Sequence, residues 1–191
     1  SQNHLFASGN GFFFVKNLST GAEKNCGFSG NLRNLLRWSM SMSIDSSASN
    51  LYMHRSWYIY RFSIGSNKCP STNYASRWRV NNLGNYLYDI QMHDTDDSVM
   101  FVANYRNRRV HSITINGAKN GSSQNWQVGT NGRQASTAAS IKFTLPYNVS
   151  LDTTNKRILV VDFYKNSVQF FDYSGTWLKE IGGSSGTRMS G

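Results

Sequence analysis

The groups able to do chemistry are few and widely spaced: His4, His54, His93 and His111, ten acidic residues, and the two cysteines Cys26 and Cys69. The histidines form neither an HxH nor an HExxH pair, the patterns that bring two imidazoles onto one metal from neighbouring positions. No GxSxG elbow or phosphate-cradling loop occurs, and GNG at 9–11 reads as a turn. Asp45, Asp94 and Asp152 each close an apolar run and precede Ser or Thr. Such carboxylates could converge on Ca²⁺, but a turn-initiating Asp explains them without any metal. The expectation is a chain with no catalytic residue, no metal and no cofactor.

The richer pattern is cationic and aromatic. HRSWY (54–58), NYRNRR (104–109) and DFYKNS (162–167) bring Arg55, Arg106, Arg108, Arg109 and Lys165 into the same kind of turn as Trp57, Tyr105, Phe163 and Tyr164. If these turns share one rim, they suit phosphates, stacked bases or acidic sugars. A formal net charge of +10 adds attraction to polyanions such as acidic glycans or RNA. The Lys and Arg residues are scattered and form no long block, so a plain solvated surface fits the same composition.

What places those turns is a repeat. The stretch 145–168 can be laid over 87–110, so that Asp152 meets Asp94, Asp162 meets Asn104 and Val168 meets Val110. A third copy runs from 38 to 62, with Asp45 in the place of Asp94 and His54 in that of Asn104. Each copy is followed by a Trp, in RWRV (77–80), NWQV (125–128) and TWLKEI (176–181). Each unit therefore carries four strands, which in the last copy are expected at 147–152, 158–162, 167–172 and 176–181. The second is apolar throughout, as a strand buried on both faces should be. The first 30 residues hold a weaker copy with second, third and fourth strands at 4–8, 11–17 and 24–28. The segment 182–191 reads as a loop leading onward.

Aromatics are 14% of the chain and charged residues 16%, with 16 Gly and only 2 Pro. Turns built on Gly, Asn, Asp and Ser suit an all-β domain. No apolar run approaches the ~20 residues of a membrane-spanning helix, and the start SQNHLF lacks the pattern of a signal peptide. Cys26 and Cys69 are too far apart for a CxxC pair. They fit a single disulfide or two buried thiols, and a bond would staple adjacent units near their outer strands or loops. Sequons at Asn17, Asn120 and Asn148 are glycosylation candidates, with Asn148 the poorest because it falls within an inner strand.

A four-stranded unit recurring every ~45 to 60 residues, with an aromatic near its outer strand, is the pattern of β-propeller blades. The run P-x-x-V-x-L-D…I-L-V-V-D-x-x-x-N-x-V-Q-x-F-x-x-x-G-x-x-L-x-x-I-G at 146–182 resembles an NHL repeat, and V-A-N-Y-R-N-R-R-V at 102–110 is close to that repeat's core. Ser167 stands where the family usually has Arg, Asn104 and His54 where it has Asp, and Tyr88 where Pro146 stands in the last copy. The resemblance implies structural, turn-fixing roles for Asp162, Asn104 and Arg109, and about six blades in a whole ring, more than this chain supplies.

The expected protein is thus an all-β, NHL-type propeller of four-stranded antiparallel blades, with units at about 1–30 (partial), 31–80, 81–138 and 139–191. Its expected function is that of a non-enzymatic interaction or structural module outside the cell. Partners would be proteins or further copies of itself, through head-to-tail or filamentous assembly. The alternatives are an RNA-binding module using the basic-aromatic rim and, last, a metal-dependent lyase or hydrolase on the same fold.

Overall fold

The computed structural model describes residues 4–9, 12–26, 41–55, 57–80, 83, 87–115, 122–129 and 143–183. These form four antiparallel sheets, each running in simple hairpin order. The first has three strands, β1 (His4–Gly9), β2 (Phe12–Asn17) and β3 (Glu23–Cys26). The second holds β4 (Met42–Ile44), β5 (Asn50–Arg55), β6 (Tyr58–Ser63) and β7 (Ser76–Arg79). The third holds β8 (Leu87–Met92), β9 (Val99–Asn104), β10 (Arg109–Ile115) and β11 (Ser122–Val128). The fourth holds β12 (Pro146–Asp152), β13 (Arg157–Asp162), β14 (Ser167–Asp172) and β15 (Trp177–Gly182). The expected all-β class, with four-stranded units and a first sheet lacking one strand, is the class observed. No helix of the described residues is long and apolar enough to cross a membrane.

A single small sheet cannot keep both faces from water, so the sheets stack face to face through three apolar seams. Val15 and Cys26 meet Leu51, Met53 and Phe62 between the first and second sheets. Tyr52, Ile59 and Trp78 meet Ile90, Val102 and Ile113 between the second and third. Phe101, Ala103 and Val110 meet Val149, Ile158, Val160 and Phe171 between the third and fourth. Each fully buried large apolar side chain in these seams contributes on the order of 1.5–3 kcal/mol.

The second strands report how each sheet is covered. In β5 and β9 nearly every residue is buried, as a strand packed on both faces requires. β13 departs from the expectation: its apolar run alternates between buried Ile158, Val160 and Asp162 and half-buried Leu159 and Val161. Cross-strand pairing puts Leu159 with Phe170 and Val161 with Val168 on the same face, where Ile181 is also exposed. Among the described residues no further sheet covers that face.

Register corrects the repeat by one residue at three positions. Arg55, not His54, pairs with the first residue of the following strand as Asn104 and Asp162 do. His93, not Asp94, continues β8 opposite Val99, as Asp152 stands opposite Arg157 and Asp45 opposite Asn50. Likewise Leu87, not Tyr88, occupies the place of Pro146, since each pairs with the last residue of its second strand. The cause is turn length. The β5–β6 turn is tighter and the β8–β9 turn longer than their counterparts, and an alignment without gaps cannot register either change.

The seams also fix individual residues. The Trp126 indole N–H donates to the Tyr173 carbonyl at 3.0 Å, which carries an outer-strand ring of the third sheet onto the β14–β15 turn of the fourth. Gly175 in that turn has φ +88°, and a Cβ there would lie 2.8 Å from the Trp126 ring. Trp78 is likewise buried in its seam, whereas Trp177 stays 36% exposed. We expect Gly175→Ala to destabilise the fold by about 1–3 kcal/mol through backbone strain and the ring clash. Urea unfolding followed by tryptophan emission measures it, and an unchanged midpoint would contradict this packing.

Candidate functional site

The two ends of the stack are chemically different. At one end the β4–β5, β8–β9 and β12–β13 turns surround a hollow of about 760 Å³ lined by Ser43, Asp45, Lys68, His93, Asp94 and Lys156 among others. The aspartates of these turns make local contacts. Asp45 accepts the backbone N–H groups of Ser49 and Asn50 at 2.8 and 3.0 Å, and Asp152 accepts that of Asn155 at 3.0 Å. At the equivalent place in the third sheet, His93 Nδ1 accepts the N–H groups of Thr95 and Asp96 at 3.2 and 3.1 Å. An imidazole acceptor thus fixes the turn that aspartate fixes elsewhere. Asp94 instead takes the Lys156 ammonium at 2.6 Å. Burial works against its charge, but the Lys156 contact outweighs that and holds the carboxyl below its usual range. No trio of His, Cys, Asp or Glu suited to a metal occurs among the described residues.

The opposite end carries the β5–β6, β9–β10 and β13–β14 turns. Asp162, fully buried, accepts the N–H groups of Thr144 and Leu145 at 2.6 and 2.8 Å and that of Lys165 at 3.4 Å. It caps its own turn and anchors the incoming connection. Asn104 fills the same place: its Oδ1 accepts Asn107 N–H at 3.1 Å and its amide donates to the Leu83 carbonyl. Arg109 stands opposite Asn104 in the ladder, and its guanidinium donates to Gln127 Oε1 at 3.2 Å on the outer strand. Lys165 is drawn the same way, to Glu180 at 3.0 Å.

The aromatic residues of this end form a connected run that turn spacing alone did not reveal. Tyr105 meets Tyr88 at 4.6 Å between ring centroids, Tyr88 meets Tyr147 at 4.4 Å, Tyr147 meets Phe163 at 5.7 Å, and Phe163 meets Tyr164 at 5.5 Å. Tyr88 and Tyr147 were missed because each is the extra residue of a β-bulge, between Leu87 and Asp89 and between Pro146 and Asn148. A bulge turns one side chain out of the pleat and onto the rim. The available signal was the paired Leu-Tyr and Pro-Tyr at the starts of two inner strands. Tyr147, Phe163 and Tyr164 are 42%, 57% and 68% exposed.

Cations border the run. Arg106 is exposed, and Arg108 is half-buried with φ +53°, a left-handed conformation that Asn166 shares in the next turn. Trp57, 39% exposed, and Arg55 occupy the corresponding turn of the second sheet. His54 is no part of this surface: it is buried in β5, with Nε2 2.6 Å from the Leu87 carbonyl of the adjacent sheet.

Of the other singled-out residues, Cys26 and Cys69 are bonded, with Cα atoms 5.6 Å apart. The link joins β3 of the first sheet to the β6–β7 connection of the second and closes a loop whose chain-entropy contribution is about 4 kcal/mol. Asn17 Oδ1 accepts the N–H groups of Ser19 and Thr20 in an exposed turn. Asn148 Nδ2, the atom a glycan would take, donates to Asp89 at 2.6 Å. Asn120 lies outside the described residues, as do 27–40 and 184–191.

No family model matches the chain, and no curated protein matches it. Among solved structures it is similar to the β-propeller domain of Cps50 (Swd1) from Myceliophteria thermophila. The TM-score is 0.56 at 10% identity, over 94% of this chain and 51% of that one. The fold is a β-propeller. A functionally unknown protein from Desulfotomaculum acetoxidans is similar to the same degree, with TM-score 0.56 at 14% identity, over 90% of this chain and 49% of that one. The chain thus spans about half the length of these solved chains, and identities this low establish the fold alone. The four sheets are blades, with β4, β8 and β12 as inner strands and β3, β7, β11 and β15 as outer ones.

Burial of two histidines gives the propeller an acid-sensitive core. Desolvation lowers both His54 and His111 to about 4, with Gln124 opposing and Arg109 reinforcing the shift at His111. Unfolding restores a value near 6.5, so the unfolded chain binds more protons between about pH 6.5 and 4 and stability falls as pH drops through that window. Each histidine accounts for a loss on the order of 3 kcal/mol at full protonation. Urea midpoints measured from pH 7.5 to 4.5 should fall, and His54→Gln with His111→Gln should flatten the slope; a flat wild-type profile contradicts it.

Proposed function

We propose that this chain is a non-enzymatic interaction module, part of a divergent NHL-type propeller working outside the cell, whose aromatic-basic rim receives the partner. The observation that carries this reading is the run from Tyr105 to Tyr164, with three of its rings left in water. Exposed apolar area forgoes about 25 cal/mol per Å², so a contiguous patch of rings is more economically explained by a partner than by the fold. Arg108 adds to it. A β-carbon at φ +53° costs on the order of 1 kcal/mol, which Gly or Asn would largely avoid, yet a long cation occupies the position.

The extracellular assignment is supported by the Cys26–Cys69 bond, since disulfides persist in oxidising compartments. Self-association is a second reading. It is favoured by the half-covered face bearing Leu159, Val161, Val168, Phe170 and Ile181, which repeats the kind of surface that the blades bury against one another.

Arg108→Asn is the discriminating substitution. It should leave the thermal midpoint unchanged or higher, because Asn tolerates the left-handed region, while weakening partner binding. Binding to immobilised polyanion and to extracellular proteins, compared with the midpoint by calorimetry, checks both halves. Lower stability with undiminished binding would sink the reading. Production through a secretory route should also give an oxidised Cys26–Cys69 pair by mass, and a reduced pair would contradict the compartment.

A further inference from the structure

Four phenols and one phenyl ring meet on the rim in a geometry more restrictive than an exposed apolar patch. Tyr88 stands between Tyr105, edge-on at 83°, and Tyr147, tilted at 37°. Phe163 is tilted 36° to Tyr147, and Tyr164 stands at 64° to Phe163. Neighbouring centroids are 4.4 to 5.7 Å apart, so the rings touch and leave no slot into which a planar base could slide between them. What the run offers is a connected series of rings, four of which carry a hydroxyl. Burial, and then the neighbouring phenols of Tyr147, Tyr105 and Tyr164, push the Tyr88 hydroxyl above its usual range.

Charge narrows the ligand further. The nearby carboxylates are occupied: Asp89 by Val149 N–H and Asn148, Asp162 by backbone N–H groups, and Glu180 by Lys165. Arg108 N–H closes the β9–β10 turn on the Tyr105 carbonyl at 3.1 Å, so Arg106 and Arg108 belong to the same four-residue turn as the first ring of the run. With a net charge of +10, a cationic ligand is disfavoured despite the rings.

We infer that the Tyr105–Tyr88–Tyr147–Phe163–Tyr164 run is a binding platform for an acidic polysaccharide, a chain of uronic-acid sugars. This rests on the reading of the rim as the partner-binding surface. The C–H faces of the sugar rings lie on Tyr147 and Phe163. The phenol O–H groups donate to sugar hydroxyls, and Arg106 and Arg108 bind the carboxylates. The Cys26–Cys69 bond favours an oxidising compartment, where nucleic acid is scarce.

The test uses the oxidised chain and three probes of equal length: a short oligogalacturonide, a neutral malto-oligosaccharide and single-stranded RNA. Titration calorimetry should show the oligogalacturonide bound at least about tenfold more tightly than either competitor. Tyr147→Ala with Phe163→Ala should weaken it about tenfold or more, as loss of stacking contacts implies. Arg106→Gln with Arg108→Asn should weaken it several-fold and reduce its salt dependence. Near-UV circular dichroism confirms that both variants keep the fold. Tighter binding of RNA through the same residues overturns the sugar assignment while leaving the rim as the binding surface. Binding of oligogalacturonide that the rim variants do not alter, or no binding of any probe, overturns the site itself.

Discussion

The structure depends on how the inner strands satisfy the backbone edge they turn toward the axis. An inner strand pairs on one side only, and each buried N–H left over would cost about 1–3 kcal/mol. Here the preceding blade supplies the acceptor. Ser41 Oγ takes Ile90 N–H at 3.1 Å, Ser43 Oγ takes Met92 N–H at 2.8 Å, and Asp89 Oδ2 takes Val149 N–H at 2.9 Å. These bonds set blade against blade at the axis, and the apolar seams extend the same contact outward. Asp89 illustrates the balance: burial raises its carboxyl, while Ser41, Val149, Ile90 and Asn148 all hydrogen-bond to favour the charged form.

From that alignment the two ends follow. Because the blades are held in register, their turns gather in two groups, and the polar residues that end the strands cap those turns instead of facing a ligand. Asp45, His93 and Asp152 serve one end, Asn104 and Asp162 the other. With Asp162 and Asn104 engaged in this way, the exposed part of the rim is largely aromatic, at Tyr147, Phe163 and Tyr164. The bulges at Tyr88 and Tyr147 matter for the same reason: one extra residue in each inner strand converts two strand positions into rim positions.

The blades differ in how completely they are enclosed. β5 and β9 lie between seams, while β13 is covered on one face and half-exposed on the other. The disulfide secures the opposite end of the stack, tying the three-stranded first blade to the second where its small sheet has less seam to hold it. At the end with the hollow, Lys156 to Asp94 and Ser46 N–H to Asp97 cross between blades at 2.6 and 2.8 Å and keep the turns together.

The amino-acid order by itself determined the strands, their grouping in fours and the fold class, because period-two patterning, turn residues and a repeated unit are local properties. It also placed Arg106, Arg108, Phe163 and Tyr164 in turns, and made Asp162 a turn cap. Only the tertiary structure decided which positions of different blades are equivalent. A shorter β5–β6 turn moved Arg55 into the place of His54, a longer β8–β9 turn moved His93 into that of Asp94, and pairing across strands is what detects both. The union of Tyr88 and Tyr147 with the rim was marked in the sequence only by Leu-Tyr and Pro-Tyr at the starts of two inner strands, since a bulge depends on how two strands are paired and not on the bulged residue. Nor was the bond between Cys26 and Cys69, which requires two blades to bring distant residues within reach.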